Sequence, residues 1–177
     1  MVAMKYRDVV KEIKRKLQPY ELPYEGYENL EKRQDSDNSF QKVVLSFTQG
    51  YIDKIAVIQN VILQSQMIMV WADTDKLVSQ LNDVKLFIKQ TSYEGSTFFI
   101  SGRKAEDIFS IMVESELAIL DLTTELEIRL LSYQDAIDSA LLSNSSKIIS
   151  DISKLLKQIQ SLWKIRQEAI LSYKFIN

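Results

Sequence analysis

Apolar side chains recur at steps of three and four residues along most of the C-terminal region, residues 104–175. This spacing follows the helical period of 3.6 residues and not the strand period of two. One seam reads Ile108, Met112, Ser115, Ile119, Leu122, Leu126, Arg129 and Tyr133. The second is a wider stripe, which reads Ile148, Ile149, Ile152, Leu155, Leu156, Ile159, Leu162, Trp163, Arg166, Ala169, Ile170 and Tyr173. Only the short polar segment 143–146 separates the two seams. The pattern predicts a long C-terminal helical hairpin over residues 104–175.

Turn-forming residues are scarce, since the 177 residues include four Gly and two Pro. A sheet needs such residues at most strand ends, and so their scarcity favours helices. A chain of this length is typical of one domain with its own core. We therefore predict an all-α fold: an antiparallel bundle of four to five helices in a single domain over residues 1–177.

The N-terminal half predicts three further helices and a linker. A basic amphipathic helix over residues 2–17 ends before Pro19, because proline disfavours helix in the residue that precedes it. A linker arm over 18–37 contains a tyrosine–glutamate repeat. The arm is either an extended recognition segment or a strap whose rings pack on the bundle, and we favour the strap. Two helices follow over 40–90. The polar residues 35–39 supply possible N-caps for the first of them. The break between the two lies near residue 73, where Asp73 or Thr74 can cap a new helix.

The composition excludes several kinds of chemistry. The chain has no Cys and no His, which rules out thiol catalysis and the Glu-x-x-His pairs of di-iron bundles. No spacing nominates carboxylate, Lys or Tyr side chains for general acid–base work. We therefore predict no catalytic residue, no metal site and no cofactor, and we expect that the protein is not an enzyme.

Arg166 interrupts the apolar seam of the last helix. A bare guanidinium in a core is costly, so it should have an acidic partner. If the hairpin turn is centred between Ser143 and Asn144, residue 166 lies level with Asp121. We predict a buried ion pair between Arg166 and Asp121 that sets the register of the hairpin, or an Arg166 whose stem packs while its head reaches water.

The segment between Val43 and Ala72 contains Asp53 and Lys54 as its only charged residues. Depleted charge beside Met and Trp is typical of the centre of a protein interface. An equally good alternative is a central helix that its own chain covers on most sides. The candidate interface residues are Gln59, Asn60, Gln64, Met67 and Trp71.

The first helix carries a candidate basic face, which consists of Lys5, Arg7, Lys11, Lys14 and Arg15. Such a face can bind nucleic acid or an anionic membrane. The chain as a whole has a net charge of −2, which gives no general attraction to nucleic acid. We therefore favour a solvated face, or one that docks on the acidic helix 104–142.

These observations favour a non-enzymatic protein–protein interaction or assembly protein, which binds itself or another helical protein. One alternative is a nucleic-acid-associated accessory protein that uses the basic first helix. Another is a small-molecule binder with a polar pocket inside the bundle, formed by Gln59, Asn60, Gln64 and Arg166. No membrane span is expected, because polar residues interrupt the longest uncharged stretch, and the N-terminus lacks an apolar segment that would direct export. The expected location is therefore cytoplasmic.

Overall fold

The computed structural model describes residues 5–173, and this part of the chain contains five α-helices and no strand. Of the described residues, 80% are helical, which confirms the predicted all-α bundle. The helices are α1 (Tyr6–Leu17), α2 (Leu30–Gln64), α3 (Trp71–Lys89), α4 (Glu106–Asp138) and α5 (Ser145–Ser172). Single 3₁₀ turns follow α1 and precede α3 and α5. Residues 2–4 and 174–175, which the sequence assigned to helices, lie outside the described range.

The described residues divide into two compact units. Unit 1 contains residues 5–44, 90–121 and 161–173, and unit 2 contains 45–89 and 122–160. Helices α2, α4 and α5 contribute residues to both units. The single domain over residues 1–177 stays a prediction from the sequence.

The core of unit 2 is built from regular apolar stripes on four helices. Its buried side chains recur at steps of three and four, which places them on one face of each helix. They include Ile55, Ile58 and Ile62 of α2, Leu77, Leu81, Val84 and Ile88 of α3, Leu126, Leu130 and Ile137 of α4, and Ile149, Ile152, Leu156 and Ile159 of α5. Each fully buried aliphatic side chain contributes about 1.5–3 kcal/mol.

The linker arm is shorter than predicted, because α2 begins at Leu30 and not near Phe40. The cap is Asn29, whose side-chain oxygen accepts a hydrogen bond from the Glu31 amide at 3.0 Å. The polar run 35–39 was interpreted as a set of helix caps, but it lies inside α2. Its short side chains bond to distant groups instead: Ser36 Oγ accepts from the Glu25 amide at 2.9 Å, and Ser39 Oγ donates to the Pro23 carbonyl.

The break between α2 and α3 also lies earlier than the predicted position near residue 73. Gln66 has a φ of 56°, and the Met67 and Gln66 amides donate to the Ile62 and Leu63 carbonyls. This is a Schellman ending, which normally prefers glycine at the left-handed position. Thr74, interpreted as a cap, is buried inside α3 and donates to the Val70 carbonyl at 2.7 Å.

The predicted hairpin is present as α4 and α5, which are 33 and 28 residues long. Its turn repeats the α2–α3 ending: Ala140 has a φ of 54°, and the amides of Leu141 and Ala140 donate to the Ala136 and Ile137 carbonyls. A 3₁₀ turn, Leu142–Asn144, then leads into α5.

Candidate functional site

A cluster of charged side chains lies in the core of unit 1. Arg166 and Glu116 are fully buried, and Asp37 is nearly so. We call these three residues, together with the hydroxyl groups of Tyr24, Tyr27 and Tyr93, the buried charge network. Helix α5 supplies the arginine, α4 and α2 supply the carboxylates, and the segments 21–29 and 90–105 supply the tyrosines.

The guanidinium of Arg166 bonds through all three of its nitrogens. Nε donates to Glu116 Oε1 at 2.7 Å, and Nη1 donates to Tyr93 Oη at 2.7 Å. Nη2 donates to Asp37 Oδ1 and to Tyr27 Oη. The arginine head also lies over the rings of Phe40 and Trp163, which stack on each other with centroids 5.8 Å apart.

The tyrosines complete the bonding of the two carboxylates. Tyr24 and Tyr27 donate to the two oxygens of Glu116 at 2.5 Å each, and Tyr93 donates to Asp37 at 3.1 Å. Tyr27 and Tyr93 therefore each accept from Arg166 and donate to an acid. Among the described residues, every buried side-chain nitrogen and oxygen has a hydrogen-bond partner. A satisfied network of this kind can specify one packing arrangement of a core.

Burial controls the titration of these groups. It raises the pKa of the Glu116 carboxyl above its usual value, although Arg166 and the tyrosine hydroxyls act in the opposite direction. Burial also raises the pKa of Tyr93 to about 12, and those of Tyr24 and Tyr27 well above the ordinary value. Since the groups bond one another and are shielded from water, the arrangement suits a structural role.

The predicted partner of Arg166 is wrong. Asp121 is largely exposed and pairs with Lys16 at 3.0 Å, whereas Arg166 pairs with Glu116 and Asp37. The reason is the position of the turn. Helix α4 ends at Asp138 and α5 begins at Ser145, so the hairpin is centred about two residues earlier than assumed. The residue level with 166 therefore moves by about four positions, one helical turn, towards Glu116.

The sequence held a signal for both missed acids. Glu116 follows Met112 by four residues and precedes Ile119 by three, which places it on the apolar face of α4. Asp37 precedes Phe40 by three residues and so lies on the buried face of α2. That second signal was hidden, because residues 35–39 were interpreted as caps outside a helix.

A second buried arginine, Arg33, fixes the irregular part of unit 1. Its Nε donates to the Tyr27 carbonyl at 2.7 Å. Nη1 donates to the carbonyls of Phe98 at 2.7 Å and Ser101 at 2.9 Å, and Nη2 to that of Arg103 at 3.2 Å. Arg33 thereby supplies donors to carbonyls that no helix satisfies. Tyr24 and Tyr27 are buried too, so the tyrosine arm packs as the favoured interpretation expected.

The candidate interface residues lie in unit 2, at the end of α2, in the turn that follows it and at the beginning of α3. Asn60 and Gln64 are exposed, and Gln59, Met67 and Trp71 are half-buried. Apolar neighbours are exposed as well: Val57 and Leu63 by 56% and 57%, Ile68 by 73% and Met69 by 79%. The end of α2 therefore buries one face and leaves another open, and on the open face the uncharged residues 55–72 present aliphatic side chains to solvent.

The basic face of α1 is largely paired with acids. Lys14 contacts Glu25 at 2.6 Å and Arg15 contacts Glu12 at 2.5 Å. Arg7 and Lys11 lie 4.0 and 3.9 Å from Glu28 and Asp8, and Lys5 is the N-terminal cap residue of the helix. Two surface cavities of about 630 and 500 Å³ border α1, and both mix basic with acidic lining groups. Such mixed charge gives little attraction for a polyanion.

Within residues 5–173, no group of three or more Asp or Glu side chains is placed to hold a metal ion. No helix in the same range is long and apolar enough to cross a membrane. The small-molecule alternative placed Gln59, Asn60, Gln64 and Arg166 around one polar pocket. Arg166 belongs to unit 1 and the other three belong to unit 2. The buried charge network already supplies hydrogen-bond partners to every nitrogen of the Arg166 guanidinium.

No protein-family model matches the sequence, and no curated protein or solved structure is significantly similar to it.

Proposed function

We propose that this chain is a non-enzymatic assembly protein that self-associates through the uncharged residues 55–72 of unit 2. The observation that carries the proposal is the exposure of Leu63, Ile68 and Met69 within a stretch that has no charged residue. Exposed aliphatic groups on a neutral surface gain free energy when another apolar surface covers them. A cytoplasmic location stays the prediction made from the sequence.

Self-association is favoured over binding to a charged partner because the surface is neutral. In a two-fold dimer the same patch faces itself, so any net charge on it would repel its copy. A patch without charges avoids that cost. The pairing of Arg7, Lys11, Lys14 and Arg15 with acids gives the nucleic-acid alternative less support.

The first test is the solution mass by light scattering, across protein concentration and at low and high salt. The chain has a mass of 20.5 kDa, and we expect the mass to approach twice this value as concentration rises. The association should resist salt, since salt screens ion pairs and not apolar contacts. A monomer at every concentration would contradict the proposal. Association that salt abolishes would contradict it too and would direct attention to the basic face of α1.

A matched pair of variants tests the surface itself. Ile68 and Ile100 are equally exposed, at 73%, but Ile68 lies in the uncharged stretch and Ile100 in unit 1. Ile68→Ser should weaken self-association by roughly tenfold, because it removes one aliphatic side chain from the contact. Ile100→Ser should leave it unchanged. Equal effects of the two substitutions would argue against residues 55–72 as the interface.

A further inference from the structure

The buried side chains of unit 2 recur along the chain at one constant interval. We call residues 45–89 the first hairpin and residues 122–160 the second hairpin. The second hairpin includes ten buried residues, and each lies 75 positions after a buried residue of the first. The pairs of α2 and α4 are Thr48 and Thr123, Tyr51 and Leu126, Ile55 and Leu130, Ile58 and Tyr133, and Ile62 and Ile137. The pairs that follow the turns are Val70 and Ser145, Thr74 and Ile149, Leu77 and Ile152, Leu81 and Leu156, and Val84 and Ile159.

Apolar stripes alone do not explain this agreement. Any two amphipathic helices share steps of three and four residues, so one pair of helices can always be aligned. Here a single interval aligns two pairs of helices, because both turns have the same length. Val70 follows Ile62 by eight positions, and Ser145 follows Ile137 by eight. Both turns also begin with a left-handed residue in a Schellman ending and continue into a 3₁₀ turn.

Three of the hydrogen bonds between the two hairpins join residues at nearly the same interval. The partners in these bonds are 72 or 73 positions apart. Corresponding residues therefore lie at nearly the same height along the unit, where α2 contacts α4 and α3 contacts α5. The pairs are Tyr51 with Thr123, Lys54 with Glu127, and Gln80 with Ser153.

We propose that the two hairpins are equivalent copies of one structural module, so that corresponding positions have the same surroundings and accept each other's side chains. The inference does not depend on the self-association proposed above. It concerns which residues the fold requires, because a position that holds a different side chain in one hairpin should tolerate that side chain in the other.

The exposed residues give this equivalence a meaning for the uncharged stretch 55–72. Asp138 corresponds to Leu63, and both side chains are exposed near the end of their helix. Ser143 corresponds to Met69, since each is the second residue of a 3₁₀ turn. The second hairpin thus has polar residues where the first exposes Leu63 by 57% and Met69 by 79%. The module does not require aliphatic side chains at these two positions.

One polar contact of the core occurs in only one of two corresponding places. Thr74 of α3 bonds Tyr133 of α4, and their hydroxyl oxygens are 2.6 Å apart. The residues that correspond to Thr74 and Tyr133 are Ile149 of α5 and Ile58 of α2. If the hairpins are equivalent, Ile149 faces Ile58 as Thr74 faces Tyr133, and a pair of hydroxyl groups introduced there should form the same bond.

A double-mutant cycle on the full chain tests this contact by thermal unfolding of Ile58→Tyr, Ile149→Thr and the variant with both changes. Ile58→Tyr alone buries a hydroxyl group without a partner, and Ile149→Thr alone loses apolar contacts, so each should lower Tm by roughly 3–8 °C. In the double variant the two hydroxyl groups should bond each other, and the loss should be smaller than the sum of the single losses by at least about 2 °C. Thr74→Val and Tyr133→Phe, which remove the existing pair, give the reference coupling. Single losses that simply add, or a double loss above their sum, would overturn the equivalence.

A surface variant tests the equivalence without a change in the core. Leu63→Asp copies Asp138 of the second hairpin and should lower Tm by less than about 5 °C. Ile62→Asp is the matched control at the adjacent position, which is buried in both hairpins, and should prevent folding or lower Tm by more than about 10 °C. A loss above about 5 °C for Leu63→Asp would overturn the equivalence.

Light scattering on the same proteins separates the repeat from the proposed function. A wild type that stays monomeric would overturn self-association and leave the repeat intact, whereas unfolding of Leu63→Asp would overturn the repeat and leave self-association intact. A folded, monomeric Leu63→Asp beside a dimeric wild type would support both. A folded Leu63→Asp that associates as the wild type does would support the repeat and contradict a role of Leu63 in association.

Discussion

The two units of the molecule use different means to define their cores. All four fully or nearly buried charged residues among those described, Arg33, Asp37, Glu116 and Arg166, belong to unit 1. The buried polar side chains of unit 2 are hydroxyl groups: Thr48, Thr74, Thr123 and Ser145. Unit 1 includes the irregular segments 21–29 and 90–105, which need donors and acceptors from side chains. Unit 2 is built from regular helices, which satisfy their own backbone, so apolar packing is sufficient.

The two units also differ in what a substitution is expected to change, which is stability in unit 1 and association in unit 2. When one partner is removed from a buried charged network, the free energy of unfolding falls by more than it would if apolar residues replaced the whole network. Unit 1 is therefore the more sensitive to substitution in its core. Unit 2 carries the uncharged exposed surface, and substitutions there are expected to change association more than folding.

The largest expected effect comes from Arg166→Met. This change leaves Glu116 and Asp37 buried beside each other without a positive charge, and should lower the free energy of unfolding by about 3–5 kcal/mol. Urea denaturation measures the loss, and hydrogen exchange assigns it to unit 1. The matched change in unit 2, Thr74→Val, removes a bond to Tyr133 and should cost about 1–3 kcal/mol. A cost below about 1 kcal/mol for Arg166→Met would contradict a structural role of the network.

Gly26→Ala tests the close packing of the tyrosine arm. Gly26 has a φ of +76°, and an added Cβ would lie 2.7 Å from Tyr6 Oη and 3.0 Å from Val10 Cγ2. Backbone strain and overpacking together should cost about 2–4 kcal/mol. Gly95, also in unit 1, has a φ of +80° with open space around it, so Gly95→Ala should cost only the strain, about 1–2 kcal/mol. Equal losses in thermal unfolding would show that the contact with α1 is not tight.

Alkaline pH should weaken the molecule through the tyrosines of unit 1. Tyr93 keeps its proton to a pH of about 12 in the folded state, but in the unfolded chain it loses the proton near its ordinary pKa of 10.0. The stabilisation is complete below pH 10 and is lost as the pH rises towards 12, because the unfolded chain then binds fewer protons. The loss from Tyr93 alone is on the order of 2 kcal/mol. Between pH 10 and pH 12, the free energy of unfolding measured with urea should depend less on pH in Tyr93→Phe than in the wild type. The same dependence in both proteins would contradict the expectation.

The smallest expected effect is a gain at a turn of unit 2. Ala140 occupies a left-handed position that favours glycine, so Ala140→Gly should raise the free energy of unfolding by about 1 kcal/mol. The same substitution four residues earlier, Ala136→Gly, lies inside α4 and should lower it by about 1 kcal/mol. Opposite shifts in the urea midpoint confirm the Schellman ending, and losses at both positions would argue against it.

Particular residues show how far the sequence could be interpreted. The seams of α4 and α5 were sufficient to predict the hairpin, and the position of Arg166 in the apolar seam indicated burial with an acidic partner. The identity of that partner depended on the centre of the turn, and an error of about two residues there exchanged Glu116 for Asp121. The start of α2 was missed because Ser36, Asp37 and Ser39 have the composition of helix caps. Both Schellman endings were missed because Gln66 and Ala140 stand where glycine is usual.

The sequence by itself determined the helical class of the fold, the long hairpin and the uncharged stretch of residues 55–72. These properties depend on local spacing and composition, which short segments of chain already contain. The tertiary structure alone decided that Asp37, Glu116 and two tyrosines bond Arg166, and that one face of the uncharged stretch is exposed. Such pairings join residues up to 139 positions apart, as in the bond between Tyr27 and Arg166. They depend on turn geometry and helix register, in which a shift of a few residues turns a side chain towards a different neighbour.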